Sequence, residues 1–188
     1  MGVMGSAGGQ MDPDVLKRAR TLGEQIAQHD CIIITGACPG LPHEAVLGCK
    51  SRGGLAVGIS PALCLDEHIQ EYRSPWQDYD VLIFTGSGLM GREIEAIRSC
   101  DIVTILGGRS GTLGEFSIAY DEGKLIGVLL NTDGIAAHIR EIVQAVNKDT
   151  GAEVFYDEDP RTLIDECLQA FERRKRLGIA YRRPHHNG

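Results

Sequence analysis

Short apolar runs alternate along the chain with longer stretches whose apolar positions recur at helical spacing. The runs fall at residues 2–5, 31–36, 55–59, 81–86, 102–106, 125–130 and 153–156. Several of them, "CIIIT", "DIVTIL" and "LIGVLL", are β-branched and apolar on both faces, as strands covered by helices on both sides must be. Between the runs, residues 13–29, 42–52, 92–100, 112–123, 134–147 and 160–176 read as helices. In the first of these Val15, Leu16, Ala19, Leu22 and Ile26 share a face, Asp12 is placed as N-cap, and Pro13 suits the first turn. In 92–100, Ile94, Ile97 and Cys100 mark the inward face, which turns Arg92 and Glu95 elsewhere.

Parallel neighbours in a sheet need crossover helices, so this alternation predicts an α/β fold: a Rossmann-like, doubly wound, mostly parallel seven-stranded sheet with helices on both faces. No linker interrupts the pattern. One domain is expected over 1–176, followed by a basic, flexible tail over 177–188. The longest irregular piece, 61–80, reads as a surface excursion serving as a lid or an interface.

Composition narrows the function classes. Hydrophobic residues at 43% and charged residues at 24% are ordinary for a globular chain. A net charge of −7 argues against a dedicated nucleic-acid binder, whose domains carry a basic face. The basic residues near the end, from Arg173 to Arg183, read as a solvated helix end and tail. No apolar run approaches the ~20 residues of a membrane span. The cysteines at 31, 38, 49, 64, 100 and 167 show neither C-x-x-C pairing nor metal-type spacing with His, so reduced, mostly buried thiols in a cytoplasmic protein are expected. His29, His43, His68, His138, His185 and His186 read as surface residues, as do the lysines at 17, 50, 124, 148 and 175.

Ligands of open parallel sheets bind beyond the carboxyl ends of the strands. Glycine clusters stand at those ends: "GSAGG" after the first run, "TGACPG" after the second, "TGSGLMG" after the fourth and "GGRSGT" after the fifth. Glycine lets the backbone approach a ligand closely, and the helix that follows offers free N–H groups to an anion. Together the clusters favour a bound phosphate, with Gly5, Ser6, Gly36, Gly107, Gly108, Ser110, Gly111 and Thr112 as its contacts. No Lys occurs in these turns, which excludes a Walker A loop. "GSGLMG" fits G-x-G-x-x-G, but the next strand ends without the acid that a dinucleotide's ribose needs. Thr112 is expected to cap the helix after "GGRSGT", and Glu115 to fall in its first turn.

These residues carry a resemblance. The segment from Gly107 to Glu115 is similar to the PGGxGTxxE motif of the LOG family, often labelled putative lysine decarboxylases. Arg92 stands nine residues before Asp101, as that family's arginine does, and "GGLAVGISP" at 53–61 resembles its GGxxxGxxP segment. The related Rossmann-like group includes DprA and the molybdenum-cofactor carrier proteins. The resemblance implies a homodimeric phosphoribohydrolase that cleaves a nucleoside 5′-monophosphate to free base and ribose 5-phosphate, without cofactor or metal. It places Arg92 and Glu115 as the catalytic residues. The alternative it carries is a non-catalytic carrier or sensor of a nucleotide or pterin-type phosphorylated ligand. No strand-flanked Lys is placed to form a pyridoxal phosphate Schiff base, which disfavours a decarboxylase. This sequence departs from the family in several places. The proline before the paired glycines is missing, Arg109 stands where its second glycine lies, and Glu93 where a lysine usually follows the arginine. The longer "TGSGLMG" replaces the acidic residue and histidine that precede that arginine.

Overall fold

The computed structural model describes residues 1–179. Of the tail expected at 177–188, positions 180–188 lie outside the described residues, His185 and His186 among them. The elements run β1 (Gly2–Gly5), α1 (Pro13–Gln28), β2 (Ile33–Thr35), α2 (Leu41–Ser51), β3 (Ala56–Ser60), α3 (Leu65–Gln70), β4 (Val81–Phe84), α4 (Gly88–Arg98), β5 (Ile102–Leu106), α5 (Ser110–Asp121) and β6 (Leu125–Leu129). A 3-10 helix (Gly134–His138), α6 (Ile139–Val146), β7 (Glu153–Asp157) and α7 (Pro160–Arg176) complete the chain.

Every strand pairing is parallel, in the order β4-β3-β2-β1-β5-β6-β7. Strand residues alternate between two apolar layers, as a pleat with period two requires. Val3, Ile33, Ala56, Ile102, Leu106, Leu125 and Leu129 pack with α1, α2 and α7. Met4, Ile59, Val103, Ile105, Ile126 and Val128 pack with α4, α5 and α6. The buried, doubly covered sheet predicted from the apolar runs is therefore present. Its order reverses between β1 and β5, and a ligand crevice is expected beyond the carboxyl ends of those two strands.

Several expectations need correcting. The excursion at 61–80 contains a helix, α3, and is pinned from within. His68, expected at the surface, is fully buried there, its Nδ1 2.9 Å from Ser60 Oγ and its Nε2 3.0 Å from the Pro75 carbonyl. A carbonyl can only accept, so Nε2 donates to it, while Nδ1 pairs with the Ser60 hydroxyl. Lys124 is likewise buried, and its Nζ donates to the Cys100 carbonyl. All six cysteines are free, but only Cys49, Cys100 and Cys167 are buried; Cys64 is exposed. No helix among the described residues is long and apolar enough to cross a membrane.

Candidate phosphate-binding site

The site begins with two turns held open by glycine. A Cβ on Gly5 would stand 2.3 Å from the Leu106 carbonyl oxygen, so β1 and β5 can meet at their ends only with glycine there. At the end of β2, Thr35 Oγ1 pairs with the Tyr79 hydroxyl at 2.8 Å and accepts from Ala37 N–H. These bonds fix the turn that carries Gly36. A Cβ on Gly36 would fall 1.5 Å from Arg92 Nη1, so the guanidinium occupies the space that a side chain would fill.

Arg92 reaches that place from α4. The helix starts at Gly88, a turn earlier than the apolar spacing indicates, and its inward residues are Arg92, Glu93, Ala96 and Ile97. Ile94, expected inward, is 42% exposed, and Arg92 does not pair with Glu95 on its own helix. Its guanidinium faces Glu115 instead, with Nη1 3.7 Å from Oε1. Among the described residues, only Arg92 Nε and Nη1 are buried side-chain polar atoms without a hydrogen-bond partner.

The α5 side follows from the 107–115 stretch. The helix begins at Ser110, and its N-cap is Arg109, whose extended backbone (φ −128°, ψ −148°) serves without a side-chain bond. Thr112 is therefore not the cap, and Glu115, the sixth residue of the helix, lies beyond its first turn. Thr112 lies buried in the first turn, packed on Gly108. The N–H groups of Gly107 and Gly108 are already taken, by Thr132 Oγ1 at 2.9 Å and Ser6 Oγ at 2.7 Å. Both glycines have positive φ, and the 132–136 segment clasps them: Ile135 N–H donates to Gly108 O and Ala136 N–H to Gly107 O. They form a hydrogen-bonded turn behind the site, while the first-turn N–H groups of α5 face its front.

The result is a cavity of about 370 Å³, within the range of small-molecule sites. It is lined by Gly5, Ser6, Gly36, Arg92, Ser110, Gly111, Thr112 and Glu115, so eight of the ten residues singled out in the sequence converge here. Gly107 and Gly108 stand behind them. Cys38, Leu89, Glu93 and Arg109 also line it, and no residue of the 61–80 excursion does. Cys38 could have been suspected from its place in "TGACPG", a turn already marked by its glycines. A second cleft of about 450 Å³ lies beside α1, lined by Asp12, Asp14, Asp133 and Glu158, with Arg18 already bonded to the carbonyls of Leu130, Asn131 and Glu158. Its charge suits no phosphate, and it lies away from Arg92 and Glu115.

Burial dominates the electrostatics of the cavity. It pushes the Glu115 carboxyl up to about 7, with Arg92 pulling down and Glu93 pushing up. Glu93 is raised by the same cause, partly offset by Arg92. Cys38 as a residue is only half-buried, but its thiol is turned inward, and that desolvation pushes it up to about 11, so it stays protonated at neutral pH. What the site offers is one desolvated cation with unused donors, a helix N-terminus and two carboxyl groups held above the ordinary carboxylate range by burial. No group of three His, Cys, Asp or Glu residues that could hold a metal occurs among the described residues.

Residues 1–164 match the model of the SLOG cluster4 family, and the chain belongs to that family. An uncharacterized protein of Archaeoglobus fulgidus is 33% identical over 132 residues, which are 69% of this chain and 78% of the relative. Among solved structures, the Moco carrier protein from Chlamydomonas reinhardtii is 27% identical with a TM-score of 0.74, over 92% of this chain and 96% of that one. The molybdenum cofactor binding protein of the phototrophic bacterium Rippkaea orientalis is 26% identical with a TM-score of 0.72, over 90% of this chain and 95% of that one.

Proposed function

We propose that this chain binds a phosphorylated small molecule of nucleotide or pterin type, with its phosphate held by Arg92 and the N-terminal turn of α5. The observation that carries this reading is the buried guanidinium with Nε and Nη1 unpartnered. Burying a charge with unmade hydrogen bonds costs several kcal/mol, and a phosphate supplies both the counter-charge and the acceptors. Arginine matches such oxygens two at a time, and the free N–H groups of α5 add to the same field. The similarity to proteins that carry or bind the molybdenum cofactor supports a carrier role. In that role Gly5, Ser6, Gly36 and residues 110–112 shape the phosphate pocket, and no bond is made or broken.

A second reading, hydrolysis, is favoured by Glu115. A carboxyl pushed up to about 7 inside the cavity is matched to proton transfer near neutral pH. In the phosphoribohydrolase of the LOG type, water adds to C1′ of the ribose while the C1′–N bond breaks. The base leaves with a proton, and ribose 5-phosphate remains. Glu115 would take the proton from water or steady the positive ribose of the transition state, and Arg92 would hold the 5′-phosphate.

Incubation with AMP, GMP, CMP and N6-isopentenyl-AMP separates the two. Release of free base and ribose 5-phosphate, lost in Glu115→Gln while binding persists, establishes the hydrolase. Tight binding of a monophosphate with no product from any of them establishes the carrier.

A further inference from the structure

Glu93 is the feature of the cavity that neither reading uses. It follows Arg92 on α4, and both are buried, at 6% and 7% exposure. Its carboxylate lies against the start of α5 at the two places where that helix has no side chains, Gly111 in the first turn and Gly114 just beyond it. A Cβ on Gly114 would stand 2.8 Å from Glu93 Oε2, and one on Gly111 would stand 3.4 Å from Oε1. The glycines of "SGTLGE" therefore do more than free a helix start for an anion: they make room for an anion that the protein itself supplies. Glu93 is buried and feels the charge of the neighbouring Arg92, which partly offsets the cost of its burial.

Resting on the phosphate reading above, we propose that Glu93 restricts the site to ligands with a single phosphate group. The positive end of the α5 dipole draws the one phosphate held by Arg92 and the N–H groups of residues 110–112, and a second phosphate would have to settle beside it. Glu93 meets that half-charge with its own carboxylate. One phosphate on Arg92 satisfies the unpartnered guanidinium. A second would press against Glu93, and Glu115 when ionised, in a space with little water, where juxtaposed like charges are strongly disfavoured. Arg109, the other cation on the lining, is exposed at the mouth and screened by solvent. The position thus sets how much negative charge the ligand brings.

Isothermal titration calorimetry at about pH 8, above the value of about 7 to which the Glu115 carboxyl is raised, tests this with inorganic phosphate against pyrophosphate and AMP against ADP. The wild-type protein is expected to favour the single-phosphate member of each pair by about tenfold or more. Glu93→Gln is expected to bring the two close to parity, chiefly by tightening the diphosphates, while Glu93→Asp keeps the preference. Wild-type protein that takes pyrophosphate as tightly as phosphate overturns the proposal, and this result needs no variant to fold. A preference that Glu93→Gln leaves intact overturns the role of Glu93 while the phosphate site stands. Failure of the wild type to bind any of the four ligands removes the phosphate reading and this inference with it.

Discussion

Arg92 Nη1 lies 3.7 Å from Glu115 Oε1, with the two side chains only 9% and 8% exposed. The pair is close enough to feel each other's charge and too far apart to share a hydrogen bond. Gly36 backs the guanidinium on one side and the first turn of α5 faces the cavity on the other. A buried pair built for stability would close this gap. Left open, it leaves donors of Arg92 free for an oxygen that the ligand brings.

Arg92→Met therefore separates stability from function. It is made together with Glu115→Gln, because replacing both members of a buried ion pair by uncharged side chains is often neutral or stabilising, whereas removing the cation alone strands the carboxyl it faces. The expected outcome is an unchanged or higher melting temperature for the free protein, with phosphate affinity reduced by about a hundredfold, the loss of a well-placed charge-assisted contact. Calorimetry and a thermal melt on one sample check both. A melting temperature that falls sharply would mark the pair as structural.

Gly36→Ala probes the same geometry from the backbone. The added methyl would meet Nη1 at 1.5 Å, so the guanidinium must swing out of its place. Because a flexible side chain gives way, the fold is expected to survive with a destabilisation of about 1 kcal/mol. Phosphate binding is expected to fall nearly as far as in that double variant.

The pH dependence follows from Glu115, whose carboxyl rises from an ordinary 4.5 to about 7 on folding. Between those values the folded protein holds a proton that the unfolded chain has released, so stability falls as pH rises through that window. The loss is on the order of a few kcal/mol at most, and the raised Glu93 adds in the same direction. Glu115→Gln is expected to flatten the decline in chemical-denaturation midpoint between about pH 5 and 7.

Much of the fold was legible because strong local signals agree with the tertiary structure. β1, β5 and α7 fall where the sequence indicates; for α7 the capping Asp159 and the following Pro160 fix the start. Elsewhere the tertiary contacts decide. The start of α5 moved to Ser110 because a backbone cap at Arg109 leaves no side-chain signature. α4 buries two charged residues and exposes Ile94, which reverses apolar-face reasoning where the cavity demands it. The convergence of Arg92 and Glu115 was legible through the motif they belong to. The backing role of Gly107 and Gly108 was not, since it depends on Ser6 and Thr132 from distant turns.

His68 illustrates the same limit and yields a stability prediction. In sequence it is an isolated polar residue in an irregular stretch; in the fold it joins Ser60 to the Pro75 carbonyl at zero exposure. His68→Leu leaves the hydroxyl and the carbonyl unpaired and is expected to cost about 2 to 4 kcal/mol. Phosphate affinity should be unchanged, because the 61–80 segment does not line the cavity. Urea denaturation and calorimetry check the two halves.

A crystal structure of the wild-type protein with AMP tests the central claim most directly. The account places the phosphate in the cavity between β1, β2 and α5, with oxygens within hydrogen-bond distance of Arg92 Nε and Nη1 and of the N–H groups of residues 110–112. A phosphate bound elsewhere, with Arg92 still unpartnered, would contradict it.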